Sequence, residues 1–181
     1  MRAAEHVALM AAYNEWMNAR LYEVAAKLSP AELAAERKAF FGSILGTLNH
    51  LVVGDTIWLK RFAEHPARHA ALEPVRALER PKALAQVLFT DFGALSAHRR
   101  MLDGVIVRWA GELSDADLEH VLGYASMKGV VSHKRFFDLL MHFFNHQTHH
   151  RGQASTLLSQ AGVDVGVTDL LVLIPDRSPG G

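Results

Sequence analysis

Four long stretches of this chain repeat their apolar residues every three or four positions, and nothing between them alternates strand with helix. That confines the fold to packed helices. The first stretch runs from about Glu5 to Leu28, with Val7, Met10, Ala11, Met17, Leu21, Val24, Ala25 and Leu28 on one face. The second starts near Ser43 and reaches Ala63, its inner stripe being Ile44, Leu48, Leu51, Trp58 and Phe62. A third is expected from Lys82 to about Ala110 through Leu84, Val87, Leu88, Leu95, Met101, Leu102, Val105 and Trp109. The fourth runs from His133 to Ala161 and stops at Gly162, a residue that readily takes the left-handed terminating conformation.

The connections are marked by their chemistry. Ser29-Pro30-Ala31-Glu32 combines a serine cap, a proline at the first helical position and a glutamate three residues after the serine, so a short helical turn follows it. Pro66, Pro74 and Pro81 make His65–Pro81 a connection. Ser114-Asp115-Ala116-Asp117 resembles another cap. From His120 to Val131 the helical period lapses, and a small hairpin turning near Lys128-Gly129 is expected. The fold class is therefore all-α: a four-helix bundle with a hairpin-like insertion before its last long helix. Residues 1–175 are expected to form a single domain, with a short apolar piece at Asp169–Ile174, and residues 176–181 a flexible Pro-Gly-rich tail.

Composition narrows the function classes. Lysine plus arginine equals aspartate plus glutamate, 19 against 19, so the excess positive charge that nucleic-acid binding usually draws on is absent and no nucleic-acid partner is expected. There is no cysteine, which removes thiolate ligands and a protein-borne thiol nucleophile together; any metal must be held by histidine and carboxylate. Glu5, Asn14 and Glu15 interrupt the apolar run Val7–Ala12 before it can form a signal-peptide core, and no run approaches the roughly 18 to 20 apolar residues of a membrane span. A cytoplasmic location with no membrane partner is expected. Histidine is the unusual component, with 11 copies, and several crowd the fourth helix.

At 100° per residue, Leu139, Phe143, His146, His150 and Leu157 share one narrow stripe of that helix, so His146 and His150 stand where core residues are otherwise found. A lone histidine there reads most simply as a core residue hydrogen-bonded to a carbonyl. Two at i and i+4 stack their rings on one face and let their nitrogens converge on one ion. His142 and His149 lie about 40° and 60° to one side of His146, so His142/His146 and His146/His149 are alternative pairs, although the apolar stripe prefers His150 to His149. A further ligand has to come from another helix. On the second, His50 lies beside the apolar arc, with small Gly54 leaving room, and Asp55 is a possible carboxylate ligand or orienting group.

Three motifs together resemble the DinB family of small metal-binding proteins (DinB or YfiT-like, distinct from the DNA polymerase that shares the name). They are Tyr13-Asn14-Glu15-Trp16-Met17-Asn18, the stretch from Phe41-Gly42-Ser43-Ile44 through Thr47-Leu48-Asn49-His50 to Trp58, and Asn145-His146-Gln147-Thr148-His149-His150-Arg151-Gly152-Gln153. The likeness extends to Gly162 and Thr168-Asp169-Leu170-Leu171, so it covers most of the chain. It implies the bundle fold, frequent homodimers, and one divalent metal ion, zinc or nickel, held by a histidine of the second helix and an i, i+4 pair of the fourth. Those positions are His50, His146 and His150 here, which leaves His149 as the spare.

Three neutral imidazoles leave two charges of a divalent ion uncompensated and a position for water or substrate, as catalytic sites do. Some relatives in this family transfer low-molecular-weight thiols or act in thiol-dependent isomerisation, and many have no established reaction. The resemblance and the open metal position together lead to the expectation of a metal-dependent thiol S-transferase acting on a small-molecule substrate, with Asn49, Asp55, His142 and Gln153, by their positions, as candidates to orient ligands or substrate. A hydrolase acting through metal-bound hydroxide is a second reading, with Asp55 and His142 as proton shuttles. A non-enzymatic, stress-related metal-binding protein is a third. No glycine-rich phosphate loop, dinucleotide fingerprint or nucleophile elbow is present.

Overall fold

A computed structural model describes residues 2–176. In chain order its elements are α1 (Ala3–Ala25), α2 (Pro30–Ala34), α3 (Ile44–Phe62), α4 (Glu73–Arg76), α5 (Phe92–Glu112), α6 (Asp115–Leu118), β1 (Val121–Ala125), β2 (Val131–Arg135) and α7 (Phe136–Gln160). Single 3₁₀ turns occur at Ala70–Leu72 and Leu170–Leu173. The four long helices pack in a ring, α1 and α3 each resting on both α5 and α7. The chain is thus all-α apart from the antiparallel hairpin β1–β2. Among the described residues no helix is long and apolar enough to cross a membrane.

Local chemistry sets most boundaries. The Ser29 and Ser114 side chains each cap a short helix reciprocally with Glu32 and Asp117. Ser43 caps α3 by accepting from the Gly46 amide at 3.0 Å. Gly162 ends α7 at φ +81°. Helix α1 stops at Ala25, three residues before the expected Leu28. Helix α7 begins at Phe136 and not His133, because residues 131–135 pair with β1, Gly123 opposite His133. Of the expected tail at 176–181, residues 177–181 lie outside the described residues.

The third helix requires correction: it begins at Phe92 and not at Lys82. The backbone of residues 84–89 is bound by side chains of α3. His50 Nδ1 donates to the Leu84 carbonyl at 2.8 Å. Asn49 Oδ1 accepts from the Leu88 and Phe89 amides at 2.8 and 2.9 Å, and its Nδ2 donates to the Phe89 carbonyl at 3.0 Å. A helix would need those same amides and carbonyls for itself. The segment is therefore an irregular strap across α3, with Leu84 and Val87 largely exposed, and Asp91 caps α5 after it.

The strap explains why α3 is buried on nearly every side, with 15 of its 19 residues buried. Phe62 stacks on Trp109 at 5.3 Å between ring centres and meets Phe136 and Phe143 edge-on at 5.4 and 5.7 Å. Each such ring contributes about 1.5–3 kcal/mol by leaving water. On the side of α3 away from the strap, one polar network draws on all four long helices. Arg99 of α5 lies 2.5 Å from Asp55 of α3 and 2.9 Å from Asp103. Asn18 of α1 donates to Asp103 at 2.8 Å, and Arg151 of α7 donates to Asn14 of α1. Two guanidiniums face two carboxylates there, so the buried charge is balanced.

Candidate metal centre

The three histidines read from the sequence converge between α3 and α7. One ligand atom from each of His50, His146 and His150 lies within 4.8 Å of the others. His50 Nε2 is 3.3 Å from His146 Nε2 and 3.1 Å from His150 Nε2. Two nitrogens bound at 2.0–2.1 Å to one tetrahedral centre stand about 3.3 Å apart, which matches both spacings.

Hydrogen bonds on the far sides of the rings decide what those nitrogens are. His50 Nδ1 faces the Leu84 carbonyl, an acceptor only, so Nδ1 carries the proton and Nε2 the lone pair. His150 Nδ1 faces Gln153 Oε1 at 2.8 Å, with the same consequence. Two lone pairs 3.1 Å apart make no hydrogen bond; they repel unless a cation stands between them. A proton is disfavoured, since burial holds both rings below the ordinary imidazole pKa. Burial, followed by the neighbouring rings His150 and His50, pushes His146 down to about 3. All three are neutral at neutral pH, the form that binds metal, and the donor set fits a divalent transition-metal ion.

Packing fixes the rings. Phe41 stacks on His50 with centres 3.8 Å apart and meets His150 edge-on at 5.5 Å. His146 lies against Gly54 so closely that a Cβ there would stand 2.8 Å from its Cε1, so glycine is what admits the ring.

The other sequence candidates are distributed differently. Gln153 joins the centre as the acceptor of His150, and its Nε2 donates to His149 Nε2 at 3.2 Å, which engages the lone pair of that exposed spare histidine. Asn49 binds the strap, and His142 stands edge-on to Trp58 at 5.0 Å with its ring 6.1 Å from that of His146. Asp55 lies outside the group of three; its carboxylate is bound to Arg99 in the bundle interior, so the structure gives it to the network and not to the imidazoles. Two participants carried no sequence signal of their own as site residues: the Leu84 carbonyl, because any residue supplies one, and Phe41, which appeared only inside a motif.

A second cluster, His65, His69 and Asp117, also has one ligand atom from each residue within 4.8 Å of the others. Its chemistry is different. His65 Nε2 donates to the Asp117 carbonyl at 3.2 Å while its Nδ1 accepts from the Ala67 amide at 3.2 Å, so neither nitrogen has a lone pair to offer. The Asp117 carboxylate caps α6 through Ser114. His65 thereby ties the turn after α3 to α6.

Replacing Gln153 by leucine releases His150 Nδ1 from its acceptor. The expected result is a loss of zinc affinity of about 10–100-fold, the usual effect of removing an outer partner, measured by chelator competition with an unchanged helical circular dichroism spectrum.

Comparison with known proteins bears on the family of the chain. The model of the DinB family matches residues 2–177. The Protein DinB of Bacillus subtilis (strain 168) is 26% identical over 157 residues, which is 87% of each chain. No solved structure matches the chain.

Proposed function

Because this chain belongs to the DinB family and sets three neutral imidazoles around one point, we propose that it is a metal-dependent thiol S-transferase with His50, His146 and His150 as its ligands. The observation that carries this reading is the pair of facing lone pairs on His50 and His150, with no carboxylate among the ligand atoms. A zinc or nickel ion held by imidazoles alone keeps its full charge and supplies the Lewis acidity that stabilises a substrate thiolate.

The remaining work falls to the chain. Leu84 and Gln153 orient two of the ligand rings, and the strap and Phe41 shield His50 from water. The chain has no cysteine to compete with an incoming thiol. Hydrolysis is less well supported, since Asp55, one of its two candidate proton shuttles, is bound to Arg99.

The test incubates metal-loaded and metal-free protein with glutathione, bacillithiol or mycothiol and an electrophile such as chlorodinitrobenzene. Metal-dependent conjugation with at least one thiol is expected. Equal rates with and without metal for all three thiols would remove the transferase reading.

A further inference from the structure

Beyond the histidines, the same face of α3 carries an arginine that the site does not use. His50, Gly54, Trp58 and Arg61 follow one another at intervals of four, four and three residues, so they share one stripe. Rings continue along it without a break. His142 lies between His146 and Trp58, and the Arg61 guanidinium sits 4.5 Å above Trp58 and 5.1 Å above Tyr124 of β1.

Arg61 is only 9% exposed. Its Nη2 donates to the Ala125 carbonyl at 3.0 Å, while its buried Nε has no partner. Among the described residues neither Arg61 nor Arg80 forms an ion pair. The two cations stand near enough that Arg80, after burial, lowers the pKa of Arg61. Together with Lys60, Glu64, Gly123 and Tyr124 they line a cavity of about 320 Å³, within the size range of small-molecule sites. The Lys60 ammonium is held by the carbonyls of Val75, Arg76 and Leu78, and Glu64 is exposed. A buried guanidinium without a counter-ion, flanked by a second cation, is arranged to receive a planar anion.

We propose that Arg61 and Arg80 bind a carboxylate of the substrate whose thiol reaches the histidine centre. The first half of this inference stands alone; the second rests on the thiol-transfer reading. From the level of Gly54, against which His146 lies, Arg61 is seven residues further along α3, or about 10 Å. A substrate spanning both sites is therefore a thiol of short-peptide size with a carboxylate remote from sulfur.

The experiment has two arms. Metal-free protein is titrated with succinate, followed by NMR. Wild type is expected to bind it saturably, and Arg61→Met and Arg80→Met each to weaken binding by about tenfold or more, the effect of one charged hydrogen-bonding partner, while Lys128→Met on the hairpin turn leaves it unchanged. Arg80 is exposed, so its variant tests the pocket even where Arg61→Met perturbs packing. No saturable binding by wild type, or wild-type binding by Arg80→Met, overturns the pocket.

In the second arm cobalt-loaded protein is titrated with glutathione and with its diethyl ester, read by the thiolate-to-cobalt absorption band. Wild type is expected to prefer glutathione about tenfold and Arg80→Met to lose the preference without losing the ester. Equal binding of the two thiols by wild type overturns the link between pocket and centre. Failure of both to bind overturns the link as well; the thiol-transfer reading is still decided by the three-thiol assay, and the pocket by the succinate result.

Discussion

Replacing His146 by alanine is expected to lower zinc affinity by more than 100-fold while leaving the chain folded. The ring of His146 lies 5.2 Å from that of His50 and 4.4 Å from that of His150, so its removal leaves only a pair of ligands. Losing an outer partner of a ligand already weakens binding by about 10–100-fold, and losing the ligand itself goes further. Stability is expected to change little. The ring is held against Gly54, and its buried Nδ1 has no hydrogen-bond partner, so the space left behind is offset by the removal of an unsatisfied polar group. Chelator competition together with urea unfolding separates the two effects. His149→Ala is the control: that ring is exposed and tied to Gln153, and its loss is expected to leave zinc affinity near wild type. Wild-type affinity in His146→Ala would mean that the metal lies elsewhere.

The largest effect on stability is expected at Arg99. Replacing it by methionine leaves Asp55 and Asp103 buried without the guanidinium that lies between them, which destabilises the fold by about 3–5 kcal/mol, a large part of the total for a domain of this size. The effect has a pH signature. Burial already raises the Asp103 carboxyl to about 6 with Arg99 in place and raises Asp55 as well, and without the arginine both go higher. Groups whose pKa is raised by folding favour the folded state where they are protonated and cease to do so as pH rises through the folded value. The variant is therefore expected to lose less relative to wild type at pH 5 than at pH 8 in urea titrations. Adding Asp55→Asn and Asp103→Asn is expected to recover part of the loss. Equal destabilisation at both pH values would show that the lost packing, and not the unpaired carboxylates, sets the cost.

Much of this arrangement was legible in the residues because it lies on regular helices. The i, i+4 spacing of His146 and His150 places both rings on one side of α7 whatever else the chain does, and Ser43 marks the start of α3 by its capping chemistry. What could not be read depends on contacts distant in sequence. Leu84, Val87 and Leu88 have helical spacing, but Asn49 and His50 take the backbone groups that a helix there would need. A period of apolar residues describes side chains and says nothing about which backbone groups another helix will claim. Asp55 is a similar case. Five residues from His50 it reads as a candidate for the same site, yet the turn of α3 directs it to Arg99 on another neighbour. Choosing His50 as the third ligand required family resemblance, because a histidine beside an apolar arc is equally consistent with a surface position.

The central claim is that the imidazoles of His50, His146 and His150 bind one metal ion through their Nε2 atoms. X-ray absorption at the zinc edge of wild-type protein loaded with one equivalent of zinc tests it most directly. Three imidazole nitrogens at about 2.0–2.1 Å are expected, falling to two in His146→Ala prepared at saturating zinc. A spectrum with one imidazole or none, or one that His146→Ala leaves unchanged, would contradict it.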